Sequence, residues 1–467
     1  MADLNELLQK IDAELDNSVA RLFELARISS ISTDPYYKDE CRKAAQWLTD
    51  DLAHCGFDAA LRDTSGHPMV VAHYAHSSHA ATTPHLLFYG HYDVQPADPL
   101  GAWRTPPFEP ARRRDADGIE RLYGRGLSDD KGQLMTFVEA FRLWLGVLGP
   151  LPIRVTLLLE GEEESGSPAL IPFLEANRQE LTCAAAFICD SGMWDERTPA
   201  ITTRLRGILH EEITVTGPRI DLHSGLYGGA AVNPVHVLSR IIASFHDRNG
   251  RITIPGFYEG VDELPPEIRK QWRALKFSET GFLQSVGLSV PAGEKGRTVL
   301  EKLWSRPTLE VNGIYGGYTG KGTKTVLPAE ATAKISCRLV GRQNPRKLRA
   351  ALRRHVKALL PKDCRARFGG QAGSAATTVP ENNRFIAAAA AGLKDEFASD
   401  PVMIGSGGSI PVVRHFKDIL KMDSILIGFA LKDDAIHSPN EKYDLRSFHR
   451  GIRSWARIIS RLTNAGK

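Results

Sequence analysis

Five side chains in this sequence, His91, Asp129, Glu164, Asp190 and His437, are of the types that hold divalent metal ions. Two imidazoles and three carboxylates are too many for one open four-coordinate site. They suit two cations that share a bridging carboxylate. Hydrolases with such a pair hold the ions about 3.5–4 Å apart and use them to activate a water at neutral pH. No thiol stands at these positions, so the donor set does not choose between Zn2+, Mn2+ and Co2+. Metal catalysis of this kind also needs a base near the activated water. Asp93, Asp130, Glu162 and Glu163 stand close by in the sequence.

Short apolar runs must position these groups. The first reads P-H-L-L-F-Y-G-H-Y-D-V-Q-P and ends in His91 and Asp93. Another reads R-V-T-L-L-L-E-G-E-E-E-S-G and ends in the glutamates. Between them, L-Y-G-R-G-L-S-D-D-K-G carries Asp129 and Asp130. Runs of this length read as buried strands of a parallel sheet, and open α/β sheets bind ligands just beyond the carboxyl ends of such strands. The runs at 184–189 and 424–429 lead in the same way to Asp190 and His437. Packing gives no reason to set acids and histidines in turn after four separate strands.

Helical spacing of apolar residues predicts a helix over 4–26 and a second over 39–54, with Gly56 placed to end it. Helices are also expected at 132–148 and at 168–177, the latter with Pro168 at its first position. After Asp190 the texture changes. A β-like segment spans 205–216 and Asn-Pro starts a helix over 233–246. A stretch rich in Pro, Gly and aromatic residues fills 254–307, and a cleanly alternating strand covers 331–340. A helix at 345–360, a strand at 366–368 and a Gly-rich linker at 369–378 follow. The chain then returns to the first texture with an Ala-rich helix at 382–397. These patterns predict an α/β fold with a discontinuous sheet domain, residues 1–206 and 378–467, interrupted by an inserted α+β domain, residues 207–377.

The 467 residues exceed one ordinary core, in keeping with two domains. Hydrophobic content of 42% and charged content of 24% are those of a soluble globular protein. A net charge of +4 and the lack of any long basic block give no case for nucleic acid. Arg112, Arg113 and Arg114, followed by Asp115 and Asp117, read as a solvated turn. Six scattered cysteines form no C-x-x-C pair, which predicts free thiols in a reducing compartment. With no leader-like start and no apolar run of about 18 residues, a cytoplasmic protein without membrane association is expected. Y-G-G-Y-T-G-K-G-T from Tyr315 misses the phosphate-loop pattern, with Gly322 where Ser or Thr is required.

Taken together, H-Y-D-V-Q-P, Y-G-R-G-L-S-D-D-K-G, L-E-G-E-E-E-S-G-S, D-L-H-S-G-L-Y-G-G and A-I-H-S-P-N-E resemble the motifs of the dinuclear zinc metallopeptidases and amidohydrolases. That family includes carnosine dipeptidase, the cytosolic non-specific dipeptidase, carboxypeptidase G, aminoacylase and succinyl-diaminopimelate desuccinylase. The likeness runs in order over nearly the whole chain and is nearest to the dipeptidase branch. It implies a zinc-peptidase-like catalytic domain, built on a central mixed, mostly parallel sheet flanked by helices, with an inserted lid and dimerisation domain. It implies two divalent metal ions, with Zn2+ first and Mn2+ or Co2+ as alternatives. His91 and Asp190 would hold one, Glu164 and His437 the other, and Asp129 would bridge them, with its peptide bond to Asp130 cis. Asp93 would fix the ring of His91, and Glu163 would be the general base for a metal-bridging hydroxide. His223 would reach over from a partner subunit of a homodimer to the oxyanion. Arg338 would clamp the substrate's terminal carboxylate, and Thr325 and Ser409 would contact substrate. Lys131 would balance local acidic charge. The implied activity is hydrolysis of dipeptides or similar short peptides. N-acyl amino-acid hydrolysis or desuccinylation on the same metals is the alternative. One departure stands out: the dipeptidases carry a His in a Gly-rich turn near the end of the insert. Here that turn reads F-G-G-Q-A-G-S-A-A.

Overall fold

The computed structural model describes residues 3–462 apart from 381 and 409. The chain forms two compact units. The first comprises Met1–Thr203, Val379–Met403 and Pro411–Lys467, the second Arg204–Thr378 and Ile404–Ile410.

The first unit is built on a mixed sheet flanked by helices. Its strands lie in the order Asp58–Arg62, Met69–Tyr74, Arg154–Glu160, His85–His91, Ala185–Ile188, Ser424–Leu426 and Ala200–Leu205. The central four are mutually parallel, and the strands at the margins are antiparallel. Register sets His91 opposite Glu160 and Tyr89 opposite Ile188. The parallel strands therefore end together, on one edge. Alternate side chains point to opposite faces, and both faces are covered. Phe88 packs on Phe137, Phe141 and Trp455, whereas Tyr89 packs on Phe416. That double burial is why these strands read as unbroken apolar runs.

Trp455 belongs to the helix Leu445–Leu462, an element beyond the sequence expectations. Its arginines alternate with Leu445, Phe448, Ile452, Trp455 and Ile459, which form the buried stripe. The expected first helix is broken in two, Leu4–Ala13 and Leu15–Ala26. Pro168 does not start a helix; the helix begins at Leu170, after a turn at Ser167 with φ 55°. The arginine run is not a turn but the strand Ala111–Arg114, paired with Glu120–Tyr123. Arg112 and Arg114 both pair with Glu120 across that ladder, so the charges decorate an exposed strand.

The second unit has a four-stranded antiparallel sheet, in the order Thr308–Gly316, Glu330–Leu339, Gly207–Thr216 and Arg365–Gly369. Helices Pro234–Ala243 and Pro345–Ala358 cover one face and share an apolar core with it. Each starts at an Asn whose side chain accepts main-chain N–H bonds, followed by Pro at the first turn. The β-like segment is interrupted at Arg206, which separates Ala200–Leu205 from Gly207–Thr216.

Candidate metal centre

The edge where the parallel strands end gathers the site. His91 is the last residue of its strand. Glu163 and Glu164 lie in a tight helical turn just after Arg154–Glu160, and Asp190 lies two residues past Ile188. Asp129 precedes the helix Lys131–Val147, and the bond between Asp129 and Asp130 is cis. Asp129 and Asp130 thus lie at the positive end of that helix.

Two groups of potential ligand atoms result. Atoms of His91, Asp129 and Asp190 all lie within 4.8 Å of one another, and so do atoms of Asp129, Glu164 and His437. Asp129 belongs to both. Its Oδ1 is 3.1 Å from His91 Nε2, and its Oδ2 is 3.0 Å from His437 Nε2. His437 Nε2 is also 3.1 Å from Glu164 Oε1. His437 itself has φ 61°, a left-handed conformation uncommon for a residue with a Cβ. Once deprotonated, the imidazole nitrogens and carboxylate oxygens make a donor set that fits divalent cations such as Zn2+.

The surrounding contacts hold this arrangement. Asp93 is fully buried. Its carboxylate accepts the main-chain N–H bonds of Glu163 and Glu164, at 3.2 and 3.1 Å, and a bond from Ser32 Oγ. Its Oδ1 is 3.4 Å from His91 Nδ1, and its carbonyl oxygen is 3.1 Å from the same nitrogen. Asp93 thus ties the imidazole and the glutamate turn to one anchor. Asp130 accepts from the His91 main-chain N–H, and Gln95 Nε2 donates to Glu164 Oε2. Glu162 does not join the ligands; it accepts from the N–H groups of His67 and Ala169. Lys131 is buried and donates to the carbonyls of Leu25 and Ile28, with Asp93 and Glu441 near enough to favour its charge.

Glu441 closes the A-I-H-S-P-N-E motif that carries His437. Its buried carboxylate accepts from the N–H groups of Gly126, Ser128 and Asp129 and from Arg125. It joins the segment carrying His437 to the loop that presents Asp129.

Charge is concentrated here. Burial pushes the Asp190 carboxyl up to about 8. Burial also raises Glu163, with His91 opposing and Glu164 adding to the effect. Burial disfavours charge on His91, yet the contacts with Asp129 and Asp93 hold its pKa well above the usual value. Bonds to Asp129 and Glu164 push His437 up to about 10.

The other predicted residues lie in the second unit. His223 is exposed and pairs with Val326 in a two-stranded ladder, beside Thr325, whose carbonyl accepts from Ser224 N–H. His223 Nδ1 accepts from Gly225 N–H, so the neutral ring carries its proton on Nε2. Arg338 is half-buried on the strand Glu330–Leu339, opposite Thr308 and Ile208. Ser409 lies outside the described residues.

Known proteins resemble this chain over its length. The Cys-Gly metallodipeptidase DUG1 of Saccharomyces cerevisiae is 30% identical, covering 98% of this chain and 97% of its own. The Beta-Ala-His dipeptidase of Homo sapiens is 29% identical, covering 97% and 91%. Among solved structures, the M20 family metallo-carboxypeptidase Sso-CP2 from Sulfolobus solfataricus superposes with a TM-score of 0.80 at 29% identity, covering 96% of this chain and 99% of its own. The sequence model of peptidase family M20/M25/M40 matches residues 87–461, and the chain, a metal-binding hydrolase, belongs to that family.

Proposed function

We propose that this enzyme hydrolyses dipeptides, or similarly short peptides with a free C-terminal carboxylate, at a two-cation centre. The observation that carries the reading is the shared carboxylate: the two oxygens of Asp129 are directed at two different imidazoles. His91, Asp129 and Asp190 would hold one ion, and Asp129, Glu164 and His437 the other. Zn2+ is the proposed metal on the resemblance to the zinc metallopeptidases, with Mn2+ or Co2+ as alternatives, since the donor set suits all three. When bound, the pair lowers the pKa of a water and polarises the scissile carbonyl. Glu163 takes the proton of the attacking water and delivers it to the leaving amine. The Nε2–H of His223 donates to the developing oxyanion, where an oriented donor is most effective. Arg338 pairs with the terminal carboxylate through its planar fork, and Thr325 and Ser409 contact the substrate. The second unit acts as lid and dimer surface, and the partner subunit's His223 serves each site. Six free cysteines support a cytoplasmic setting; among the described residues, no helix is long and apolar enough to cross a membrane.

The test is turnover by the full chain reconstituted with Zn2+, Mn2+ or Co2+. The panel holds dipeptides, including Cys-Gly and β-Ala-His, and N-acetyl and N-succinyl amino acids. Cleavage of dipeptides with the acyl compounds inert is expected; the reverse pattern makes the protein an amidohydrolase.

Two further results are expected. Glu441→Gln turns one acceptor oxygen into a donor facing N–H groups, which should loosen the Asp129 loop. Cation affinity should fall about 10–100-fold, as when partners of ligands are changed elsewhere. Titration of the stripped variant with Zn2+ measures it, and unchanged affinity would remove Glu441 from the centre. The second concerns pH. Stripped of cations, the folded centre favours protons, with Asp190 at about 8 and His437 at about 10. Stabilisation from such raised values is complete below the unfolded values, about 4 and about 6.5, and is lost as pH rises through the folded ones. The stripped protein should therefore lose Tm progressively between about pH 4 and pH 10, most steeply between about pH 6.5 and pH 8, where both groups contribute. The gain in Tm on adding metal should be larger at the higher pH, which differential scanning fluorimetry can follow.

A further inference from the structure

The second unit contains a cavity of about 480 Å3 that no step above uses fully. Thr308, Glu310, Ser336 and Arg338 line one side of it. Register sets Thr308 opposite Arg338 and Glu310 opposite Ser336, so the four share one face of the sheet. Arg206 enters at the break between strands and is only 8% exposed. Its Nε donates to the carbonyl of Gly407 at 3.1 Å, and its Nη1 to that of Lys302 at 3.5 Å. Those bonds leave most of its five N–H donors for the cavity it lines.

Among the described residues, no carboxylate forms an ion pair with Arg206 or with Arg338. Arg306, in the same wall, is different: it is paired with both oxygens of Glu294. Glu310 lies near enough to attract Arg206 but does not reach it. Burial and the neighbouring Arg338 push the Arg206 guanidinium down to about 10. An almost buried cation without a counter-ion is costly to keep. A structural arginine satisfied by main-chain carbonyls is the plain alternative. It does not account for the second guanidinium facing the same space with no partner. One guanidinium suffices for one carboxylate, so two unpaired ones call for two.

We propose that Arg206 binds a second carboxylate of the substrate, the side-chain carboxylate of a C-terminal Asp or Glu, while Arg338 holds its α-carboxylate. The proposal rests on the reading of Arg338 given above. It makes the enzyme selective for dipeptides with an acidic C-terminal residue.

Ala-Asp and Ala-Asn have nearly the same shape and differ in charge, and they are compared on the metal-loaded enzyme. The wild type should favour Ala-Asp by about 10- to 100-fold in kcat/KM, mostly through KM, as expected for a hydrogen bond between charged groups. Arg206→Gln should bring the ratio of the two close to one. Equal rates in the wild type, or a ratio unchanged in the variant, overturn the proposal. Calorimetry with succinate and butyrate reads the cavity without turnover. Succinate should bind the wild type more tightly, and Arg206→Gln should erase the difference. Equal binding of the two by the wild type overturns the proposal. Failure to cleave any dipeptide would sink the peptidase reading, while the calorimetry still judges Arg206. Should Arg206→Gln not fold, the wild-type comparisons decide alone.

Discussion

Glu163→Ala should lower kcat by about 10²–10⁴-fold while the protein still binds its full complement of divalent cations. The separation is expected because the side chain and main chain of Glu163 have different tasks. Its main-chain N–H is held by Asp93 Oδ1, which keeps the turn in place whatever the side chain. Its carboxylate accepts no hydrogen bond among the described residues, so its removal breaks none. Neither group of ligand atoms includes it. Its pKa is raised by burial, with the nearby Glu164, Asp93 and Asp129 adding and His91 opposing. A carboxylate in that setting takes a proton more readily than an exposed one, yet can still release it. Metal content by plasma mass spectrometry and steady-state kinetics on a dipeptide test both halves. A kcat within about tenfold of wild type would place the base elsewhere.

Asp129→Asn should cost both cations rather than one. The substitution removes the charge that both ligand groups share and turns one oxygen into an NH2 donor aimed at an imidazole. Changing the partners of ligands elsewhere weakens metal binding about 10–100-fold, and loss of a shared ligand should exceed that at both positions. Turnover should fall with occupancy, by about 10³-fold or more. Asp190→Asn and Glu164→Gln make the contrast, since each belongs to one group only. They should release one ion per chain at metal concentrations that still saturate the wild type. If Asp129→Asn keeps one cation at wild-type affinity, the carboxylate is not shared.

Much of the site was legible in the sequence because its ligands follow strands buried on both faces. An apolar run that must stop at the sheet edge marks its own end, and a His or acid placed there has little packing reason to be present. His91, Glu164 and Asp190 are read in this way. Asp93 was legible as a neighbour of His91, but its hold on the Glu163–Glu164 turn was not. That hold joins two strand ends lying side by side, about 70 residues apart in the chain. Glu441 was spelled out in a motif yet had no role. Its bonds cross more than 300 residues, and no local spacing encodes them. The last helix went unread because its many arginines masked the stripe that buries Trp455.

The order of residues alone determined the chemistry on offer: which side chains are of metal-holding type, which further carboxylates stand beside them, and that the apolar runs form a sheet to present them. These follow from side-chain type and from periods of two and 3.6, which are local properties. Only the tertiary structure decided that Glu162 turns to the main chain while Glu164 meets His437, and that Asp129 faces two imidazoles with separate oxygens. It also decided that Arg206 is left nearly buried without a carboxylate among the described residues. Neighbours distant in the chain set the direction and the charge state of a side chain, through desolvation and hydrogen bonding, and those terms exist only once the strands have paired.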